Sequence, residues 1–352
     1  MKLKSNRSDN IRTFIIENVS NHSSDIAGVA AKEFDVSRQA INSYLKKLVQ
    51  ENILFSDGAT RNKRYTLVRQ EVWAKKYAIE EGLAEDIVWR NDIAQLLGFL
   101  PKNVINIWDY AFSEMFNNAI DHSEGKFIDV QMVKTAFVTS MIIKDDGIGI
   151  FKKIQTKFNL LDERHAILEL SKGKLTTAPD RHSGEGIFFT SRIVNDFAIF
   201  SGETHFSHEY GEDHDWIFEI EPMELGTKVI IQIENHTKRN AKDIFDYFTS
   251  GDDFGFFKTI VPVRLAQYGD NMLVSRSQAK RLLTRVESFK SVIFDFEGVN
   301  VIGQAFADEI FRVFHNQNKG IDFFKINANE DILKMISRAT TGFLLIKPPP
   351  NN

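Results

Sequence analysis

The sequence predicts a mixed α/β (α+β) protein that is divided into several domains. Its 352 residues exceed the usual size of one domain, and a composition of 43% hydrophobic and 26% charged residues is ordinary for a soluble globular protein. In the first 51 residues apolar side chains recur at helical spacing, whereas after residue 255 short apolar runs alternate with helical patterns. Because these patterns are typical of different architectures, we expect separate folding units.

Residues 1–69 are predicted to form a first domain, called the head below, of three helices and a hairpin. The helices are expected at residues 9–20, from a cap at Ser24 to about Phe34, and from a cap at Ser37 over Arg38–Glu51. The strands of the hairpin are expected at Ile53–Phe55 and Arg64–Val68. Ile41, Leu45 and Leu48 follow helical spacing and should face the core of the head.

The head is basic, while the remainder of the chain is acidic. Residues 1–70 carry 12 Lys and Arg against 7 Asp and Glu, a net charge of +5, and since the whole chain has −4, the remainder has −9. The polar residues expected to point outward are Arg38, Gln39, Asn42 and Lys46 on the third helix, and Arg61, Lys63 and Arg64 on the hairpin. Basic residues on both elements indicate that the head meets a polyanion.

Three helices followed by a basic hairpin resemble a winged helix-turn-helix domain. This resemblance implies that the third helix enters the major groove of DNA and that the hairpin, the wing of the motif, touches phosphates. DNA is therefore the expected partner of these seven polar residues. The alternative is a winged helix that contacts protein, since such domains also serve as dimerisation modules.

Residues 70–240 are predicted to form a second domain, which begins with a helical bridge over residues 70–107. In the helix that follows, Glu114, Asn118 and Asp121 stack on one polar face at steps of four and three residues. A carboxylate, an amide and a second carboxylate in one row can serve as a base, a Mg²⁺ ligand and a nucleotide contact.

Further short motifs follow this helix along the chain. They are the acidic and glycine-containing run Asp145-Asp146-Gly147-Ile148-Gly149 at the end of an expected strand, the glycine-rich box His182–Ile187, and the box Leu225–Val229. Acidic residues followed by glycines allow the backbone and a carboxylate to approach a flat, hydrogen-bonding ligand closely.

The pattern E-x-x-x-N-A-x-x-D/H, then D-x-G-x-G, then the two later boxes, resembles the GHKL ATPases, which include gyrase, Hsp90, MutL, histidine kinases and anti-sigma serine kinases. These motifs occur in the family's order within about 115 residues, and the resemblance covers roughly residues 75–235. It implies a Bergerat-type α/β sandwich that binds ATP with Mg²⁺. D-x-G-x-G alone would be weak, because it occurs by chance.

The resemblance also implies a role for each matching residue. Glu114 would polarise the attacking water or hydroxyl, Asn118 would bind Mg²⁺, and Asp121 would support them. Asp145 would accept a hydrogen bond from the adenine amino group, with Thr227 near that pocket. Gly147 and Gly149 would admit the base and the phosphates, and Gly184 and Gly186 would present backbone N–H groups to the phosphates.

An ATP lid is expected over about residues 151–186, with one helix at Asp162–Leu170. The basic residues of its last stretch, residues 171–184, are Lys172, Lys174, Arg181 and His182. Two interpretations of them stay open: they reach the γ-phosphate, or they are solvated charges of the lid.

A third domain is predicted at residues 255–347, followed by a Pro-containing tail at 348–352. Strands are expected at Thr259–Val263, Met272–Val274, Ser291–Phe296 and Phe323–Ile326, and helices at Gln278–Phe289 (capped by Ser275), Gly303–Asn316 and Asp331–Arg338, before a last strand. This alternation resembles the STAS-like domains of anti-sigma-factor antagonists. No Ser or Thr lies between Asp295 and Asn316, where those antagonists carry a phosphorylatable Ser. The domain is therefore interpreted as a docking module for a protein partner.

Together these features predict a cytoplasmic ATP-responsive regulator. The absence of cysteine and of any run of about 18 apolar residues fits a reducing compartment and a protein without a membrane partner. ATP·Mg²⁺ would change how the outer domains sit on each other or on a second copy in a homodimer, and slow hydrolysis would reset the switch. The alternatives are a serine/threonine protein kinase of the anti-sigma type that acts in trans, and a defence or stress effector that senses nucleic acid.

Overall fold

The computed structural model describes residues 7–59, 62–98, 100–175, 184–211, 215–219, 221, 225–249, 256–267 and 272–340. The mixed α/β class is confirmed, and the arrangement of helices and sheets is compatible with several domains. Contacts divide the chain into two compact units. The first runs to Lys75 and takes in Val130–Ile142 and Gln232–Thr237, and the second takes in Lys76–Asp129, Ile143–Ile231 and the chain from Lys238. The predicted domain boundaries stay predictions.

In the head, the described elements are the helices α1 (Arg7–Asn18), α2 (Ile26–Glu33) and α3 (Arg38–Gln50) and the strands β1 (Leu54–Asp57) and β2 (Arg64–Leu67). The strands pair antiparallel, with Leu54 opposite Leu67. Ile41, Leu45 and Leu48 are fully buried, as their spacing predicts, and they pack with Ile11 and Ile15 of α1 in one apolar cluster.

The two predicted caps in the head have different outcomes. Ser37 caps α3 as expected, because its hydroxyl accepts a hydrogen bond from the Ala40 N–H at 3.2 Å. The cap at Ser24 is wrong, because α2 begins only at Ile26 and Asp25 occupies its N-cap position without a side-chain hydrogen bond. The backbone carbonyl of His22 already accepts from the Ile26 N–H at 2.9 Å, so the preceding turn satisfies this end of the helix.

The predicted helical bridge is wrong in its first part, where Glu71–Ala78 forms strand β3 at the edge of a sheet. β-branched and aromatic residues favour this strand: Tyr77 is buried against Phe116, with ring centroids 5.4 Å apart. Helical structure follows at residues 85–97, with α4 (Glu85–Val88), a π-helical turn and α5 (Ala94–Leu97).

The elements that follow, in chain order, are α6 (Lys102–His122), β4 (Phe127–Lys134), β5 (Val138–Asp145), α7 (Ile150–Lys157), α8 (Glu163–Lys172), α9 (Gly186–Ile193), β6 (Asp196–Ser201), β7 (Thr204–Glu209), β8 (Trp216–Glu219), β9 (Thr227–Glu234) and α10 (Ala241–Phe248). In the described residues the seven strands β3 to β9 form one sheet in the order β3-β4-β5-β9-β6-β7-β8. Asp162 caps α8, since its carboxylate accepts from the His165 N–H at 2.8 Å. The order places β5 and β9 side by side, so that two of the predicted motifs share the middle of the sheet.

The C-terminal part consists of β10 (Lys258–Pro262), α11 (Arg276–Leu283), β11 (Ser291–Asp295), α12 (Gln304–Asp308), a π-helical stretch Glu309–Phe314, α13 (His315–Gln317), β12 (Asp322–Ile326) and α14 (Glu330–Ala339). The three strands pair parallel in the order β10-β11-β12. Ser275 caps α11 as predicted, with Gln278 completing a capping box.

Two C-terminal expectations need correction. The helix expected to reach Phe289 ends at Leu283, because Arg285 has a φ of 60° in the left-handed region, which a helix cannot contain. The strand expected at Met272–Val274 is reduced to one bridge between Leu273 and Ile302. The predicted last strand and the tail lie outside the described residues. Among the helices that the structure describes, none combines the length and the apolar character that crossing a membrane requires.

Candidate functional site

A cavity of about 260 Å³ opens between α6, the ends of β5 and β9, and the segments on either side of residues 176–183. This volume is close to the lower end of the range of small-molecule sites. Six of the residues that the sequence singles out line it together: Glu114, Asn118, Asp145, Gly184, Gly186 and Thr227. They come from four stretches of the chain that are far apart in sequence.

Helix α6 divides its faces between the core and the cavity. Phe112 and Phe116 are fully buried, while Glu114 and Asn118, one turn apart, line the cavity. The third member of the predicted row, Asp121, does not line it and is exposed. Since α6 ends at His122, the wall of the cavity at this end is formed by His122 and Ser123 instead, which sequence reasoning missed.

Asp145 is buried at the end of β5, where several hydrogen bonds orient its carboxylate. Its Oδ1 accepts from the Gly147 N–H at 2.9 Å and from the Thr227 N–H at 3.2 Å, and the Thr227 hydroxyl also bonds to this carboxyl. The Thr227 Oγ1 in turn accepts from the Ile150 N–H at 3.0 Å. Burial raises the pKa of Asp145 above its ordinary value, and these hydrogen bonds oppose that shift without cancelling it.

The neighbouring Asp146 has a different environment from Asp145. It is exposed, and its Oδ1 accepts from the backbone N–H groups of Lys126 and Phe127 at 2.7 and 2.9 Å. These bonds lower the pKa of Asp146. Of two adjacent carboxylates, one therefore faces the cavity and the other fastens the loop before β4.

Glycines bring the backbone close to the functional groups at two places. A Cβ on Gly186 would lie 1.9 Å from Oε2 and 2.8 Å from Cδ of Glu114, so a larger residue at the start of α9 would displace this carboxylate. A Cβ on Gly147 would lie 2.0 Å from the carbonyl oxygen of Ser123, so this glycine lets the chain after β5 cross the end of α6. Gly147 and Gly149 are buried and shape this turn, but neither lines the cavity.

One cation that the sequence did not single out stands at the cavity. Among the described lining residues, Lys153 of α7 is the one Lys or Arg, and its Nζ donates to the His122 carbonyl at 2.7 Å and to Glu124 at 2.8 Å. The only sequence signal for it is its place in the first turn of a helix that directly follows the D-x-G-x-G box. The lid cations Lys172 and Lys174 do not line the cavity, and Arg181 and His182 lie outside the described residues.

The cavity offers little that would hold a metal ion by protein ligands alone. Within the described part of the chain, no three His, Asp or Glu side chains are grouped for metal binding. Asn118 nevertheless supplies an amide oxygen one helical turn from the Glu114 carboxylate, and Mg²⁺ commonly takes one or two protein ligands and completes its shell with substrate phosphates and water. This donor set fits a Mg²⁺ ion that arrives with a phosphorylated ligand.

The residues predicted to contact DNA are largely at the surface of the head. Arg38, Gln39, Asn42 and Lys46 are all exposed on α3, and Arg64 is exposed on β2. Lys63 is half-buried, with its Nζ 5.2 Å from the centre of the Tyr65 ring. Arg61 lies outside the described residues. The Arg38 guanidinium packs over Gly28 of α2, where an added Cβ would lie 2.8 Å from it.

Comparison with known families supports one part of this organisation. Residues 278–332 match the family described as "STAS-like domain of unknown function (DUF4325)". No curated protein matches the chain. The matched segment runs from α11 into α14 and supports the STAS-like domain that the sequence predicts in the C-terminal part.

Proposed function

We propose that the central part of the chain binds ATP with Mg²⁺ in this cavity and acts as a nucleotide switch of the GHKL type. The observation that carries the proposal is the meeting of Glu114, Asn118, Asp145, Thr227 and the two glycines of the later box at one cavity. Sequence motifs that occur together by chance have no reason to converge in space.

The environment of Asp145 supports recognition of an adenine base. A carboxylate has about four acceptor positions, and three are used by the two backbone N–H groups and the Thr227 hydroxyl. At least one acceptor position is left for the exocyclic amino group, which is a donor. Apolar side chains such as Ile143 and Val229 line the same region and suit the faces of a flat ring.

Another part of the cavity lining suits the phosphates. Gly184 and Gly186 lie where helix α9 begins, and a helix N-terminus favours anions. Mg²⁺ held partly by Asn118 would neutralise phosphate charge. Glu114 would take a proton from a water molecule that attacks the γ-phosphorus, while the bond to the ADP oxygen breaks, so that ADP and phosphate are formed.

The outer domains would turn nucleotide binding into regulation. The exposed polar side chains of α3 and β2 support DNA binding by a winged helix, and the STAS-like domain supports docking of a protein partner. We infer a cytoplasmic regulator in which ATP·Mg²⁺ alters the contacts of these domains with each other or with a second copy in a homodimer. Sedimentation with and without ATP·Mg²⁺ would detect such a homodimer. The reaction at the cavity would be a slow reset of the switch.

The deciding experiment incubates the full chain with γ-labelled ATP and Mg²⁺, with and without duplex DNA, and follows free phosphate and label on protein together. Release of phosphate supports the proposed ATPase, while label on added protein partners would indicate a kinase acting in trans. Calorimetry on the same samples measures binding directly. If the folded chain binds no ATP, the proposal is wrong; an Asn118→Ala variant that binds ATP without dependence on Mg²⁺ would support the assigned metal ligand.

A further inference from the structure

A buried cluster of charges lies where helix α8 meets the STAS-like domain. Glu169 and Lys172 of α8 have fully buried side chains, and their Oε1 and Nζ atoms are 2.6 Å apart. Arg285, from the loop after α11, places Nη1 3.4 Å from Oε2 of the same glutamate. Fully buried charges are rare in proteins and are tolerated only when they are paired.

Hydrogen bonds from side chains to backbone carbonyls around this cluster also join α8 to the C-terminal part. The Lys172 Nζ donates to the Thr284 carbonyl at 2.7 Å, and the Thr259 hydroxyl donates to the Lys172 carbonyl at 2.7 Å. Arg285 donates a further hydrogen bond to the carbonyl of Lys174. The left-handed conformation of Arg285, which ends α11, aims its side chain at this point.

Lys174 extends the junction by one more step. Its Nζ donates to the Ser288 carbonyl at 3.0 Å and lies 5.0 Å from the centre of the Phe289 ring. Lys172 and Lys174, which the sequence left open as phosphate contacts, are thus both bonded to the STAS-like domain. Neither of the two interpretations of these lysines, solvated charges of the lid or contacts to the γ-phosphate, describes the contacts that they make here.

The same segment forms part of the wall of the cavity. Leu170, in the last turn of α8, and Leu175 both line it. The Leu175 N–H donates to the Gly184 carbonyl at 3.1 Å, which links the segment to the glycine box beside Glu114. Residues 169–175 therefore contact the cavity with their apolar side chains and the STAS-like domain with their charged ones.

We propose that Arg285 of the STAS-like domain is a positioning residue for the nucleotide site, because it holds residues 169–175 in the place from which Leu170 and Leu175 complete the cavity. This inference rests on the proposed nucleotide site. A protein partner that moves the loop 284–288 would then change the affinity for ATP. Thermodynamic linkage requires that ATP changes the affinity for that partner by the same factor.

The first test measures ATP·Mg²⁺ affinity of the full chain by calorimetry, well below the melting temperatures of all variants. Arg285→Ala should weaken binding by roughly tenfold, within the usual range of coupling between sites. Arg285→Lys should recover part of this loss, because an ammonium keeps the charge but not the forked geometry. The matched control is Arg276→Ala: Arg276 is an exposed arginine of the same domain, bonded to Asp308, and its loss should leave the affinity unchanged.

A different result is expected if Arg285 only stabilises the fold. It would lower the melting temperature of Arg285→Ala while the folded fraction binds ATP like the wild type, and that result would overturn the inference. If Arg285→Ala does not fold, the wild type alone decides through hydrogen exchange. ATP·Mg²⁺ should slow exchange both at residues 145–150 and at residues 284–289.

The exchange experiment also separates the inference from the proposal on which it rests. Slower exchange at 145–150 with no change at 284–289 would overturn the role of Arg285 and leave the nucleotide site standing. No change at either segment, together with no heat of binding, would reject the nucleotide site and the inference with it.

Discussion

The Thr227 N–H donates to Oδ1 of Asp145 at 3.2 Å, so the first residue of β9 is fastened to the last residue of β5. Gly226 makes this approach possible, since a Cβ there would lie 2.0 Å from the Asp145 carbonyl oxygen. The carboxylate is thus oriented by the backbone before any ligand arrives. A site with this property loses little free energy to ordering when it binds.

The first prediction concerns this carboxylate. Asp145→Asn keeps an oxygen that can accept from the Gly147 and Thr227 N–H groups, but it replaces the other oxygen by a donor that opposes an adenine amino group. At an ATP concentration of ~100 Kd the wild type should gain ~2.7 kcal/mol of stability, and the variant should gain almost nothing. Thermal melts with and without ATP·Mg²⁺ measure this difference.

The control for this variant is the adjacent carboxylate. Asp146 lies outside the cavity and bonds to the backbone of Lys126 and Phe127. Asp146→Asn should therefore keep the ATP-dependent stabilisation. An equal loss in both variants would show that the effect arises from the loop and not from a ligand contact.

The second prediction concerns pH. Burial raises the pKa of Asp145 in the folded protein, so between the ordinary and the raised value the folded state holds more protons than the unfolded state. In that window the contribution of Asp145 to the free energy of unfolding falls as pH rises. Asp145→Asn should therefore be more stable than the wild type above the window, without nucleotide, and this advantage should vanish as pH falls through it.

Urea denaturation of both proteins over a series of pH values tests the sign of this effect. ATP binding should show the opposite trend, because the adenine contact needs the ionised carboxylate and weakens as pH falls through the raised pKa. A stability difference that is constant with pH would contradict the proposed burial of an ionised Asp145.

Much of the site could be predicted from local sequence, because its motifs depend on short spacings. The steps between Glu114 and Asn118 place both at one wall through helical periodicity alone. The same periodicity places Asp121 on this face of the helix, but Asp121 does not line the cavity, because periodicity carries no information about where a cavity ends. The Lys172–Glu169–Arg285 cluster could not be predicted from local sequence for a related reason. Arg285 and Glu169 are more than 100 residues apart, so their pairing depends on tertiary structure, and a lysine in a predicted lid is usually solvated.

Strand β3 shows a different limit of local sequence. Its residues Glu71, Lys75 and Lys76 are typical of a solvated helix as much as of a strand. Charged side chains, lysine above all, are common on edge strands, where they oppose pairing with other chains. The position of β3 at the edge of the sheet explains its composition, but that position is known only once the whole sheet has formed.

The third prediction concerns chemistry at Glu114. Glu114→Gln keeps the size of the side chain beside Gly186 and removes its basicity, so ATP should still bind while any turnover falls ~10²-fold or more. Asp121→Asn is the matched control on the same helix, because Asp121 is exposed and does not line the cavity. Release of labelled phosphate under single-turnover conditions measures the turnover of both variants. Unchanged turnover in Glu114→Gln would assign the base to another residue.

The last prediction separates two kinds of DNA contact in the head. Gln39 and Asn42 are exposed on α3, and their amide groups suit the edges of adenine, so replacing either by Ala should cost ~1–3 kcal/mol on a preferred duplex and little on others. Arg64 on β2 would contact phosphate. Arg64→Glu should therefore weaken binding to all duplexes alike and reduce the salt dependence by about one unit of slope.

Fluorescence anisotropy of the full chain on random and selected duplexes at two salt concentrations measures these effects. Lys47→Glu on α3 is the control, because it makes the same change of charge as Arg64→Glu. Helical geometry places exposed Lys47 about 180° around the helix axis from Arg38. Lys47→Glu should change binding less than Arg64→Glu does, because it faces away from the proposed DNA surface. If the folded wild type shows no salt-dependent binding to DNA even at low salt, protein contact is left as the role of the head, and the proposed regulator does not act through DNA.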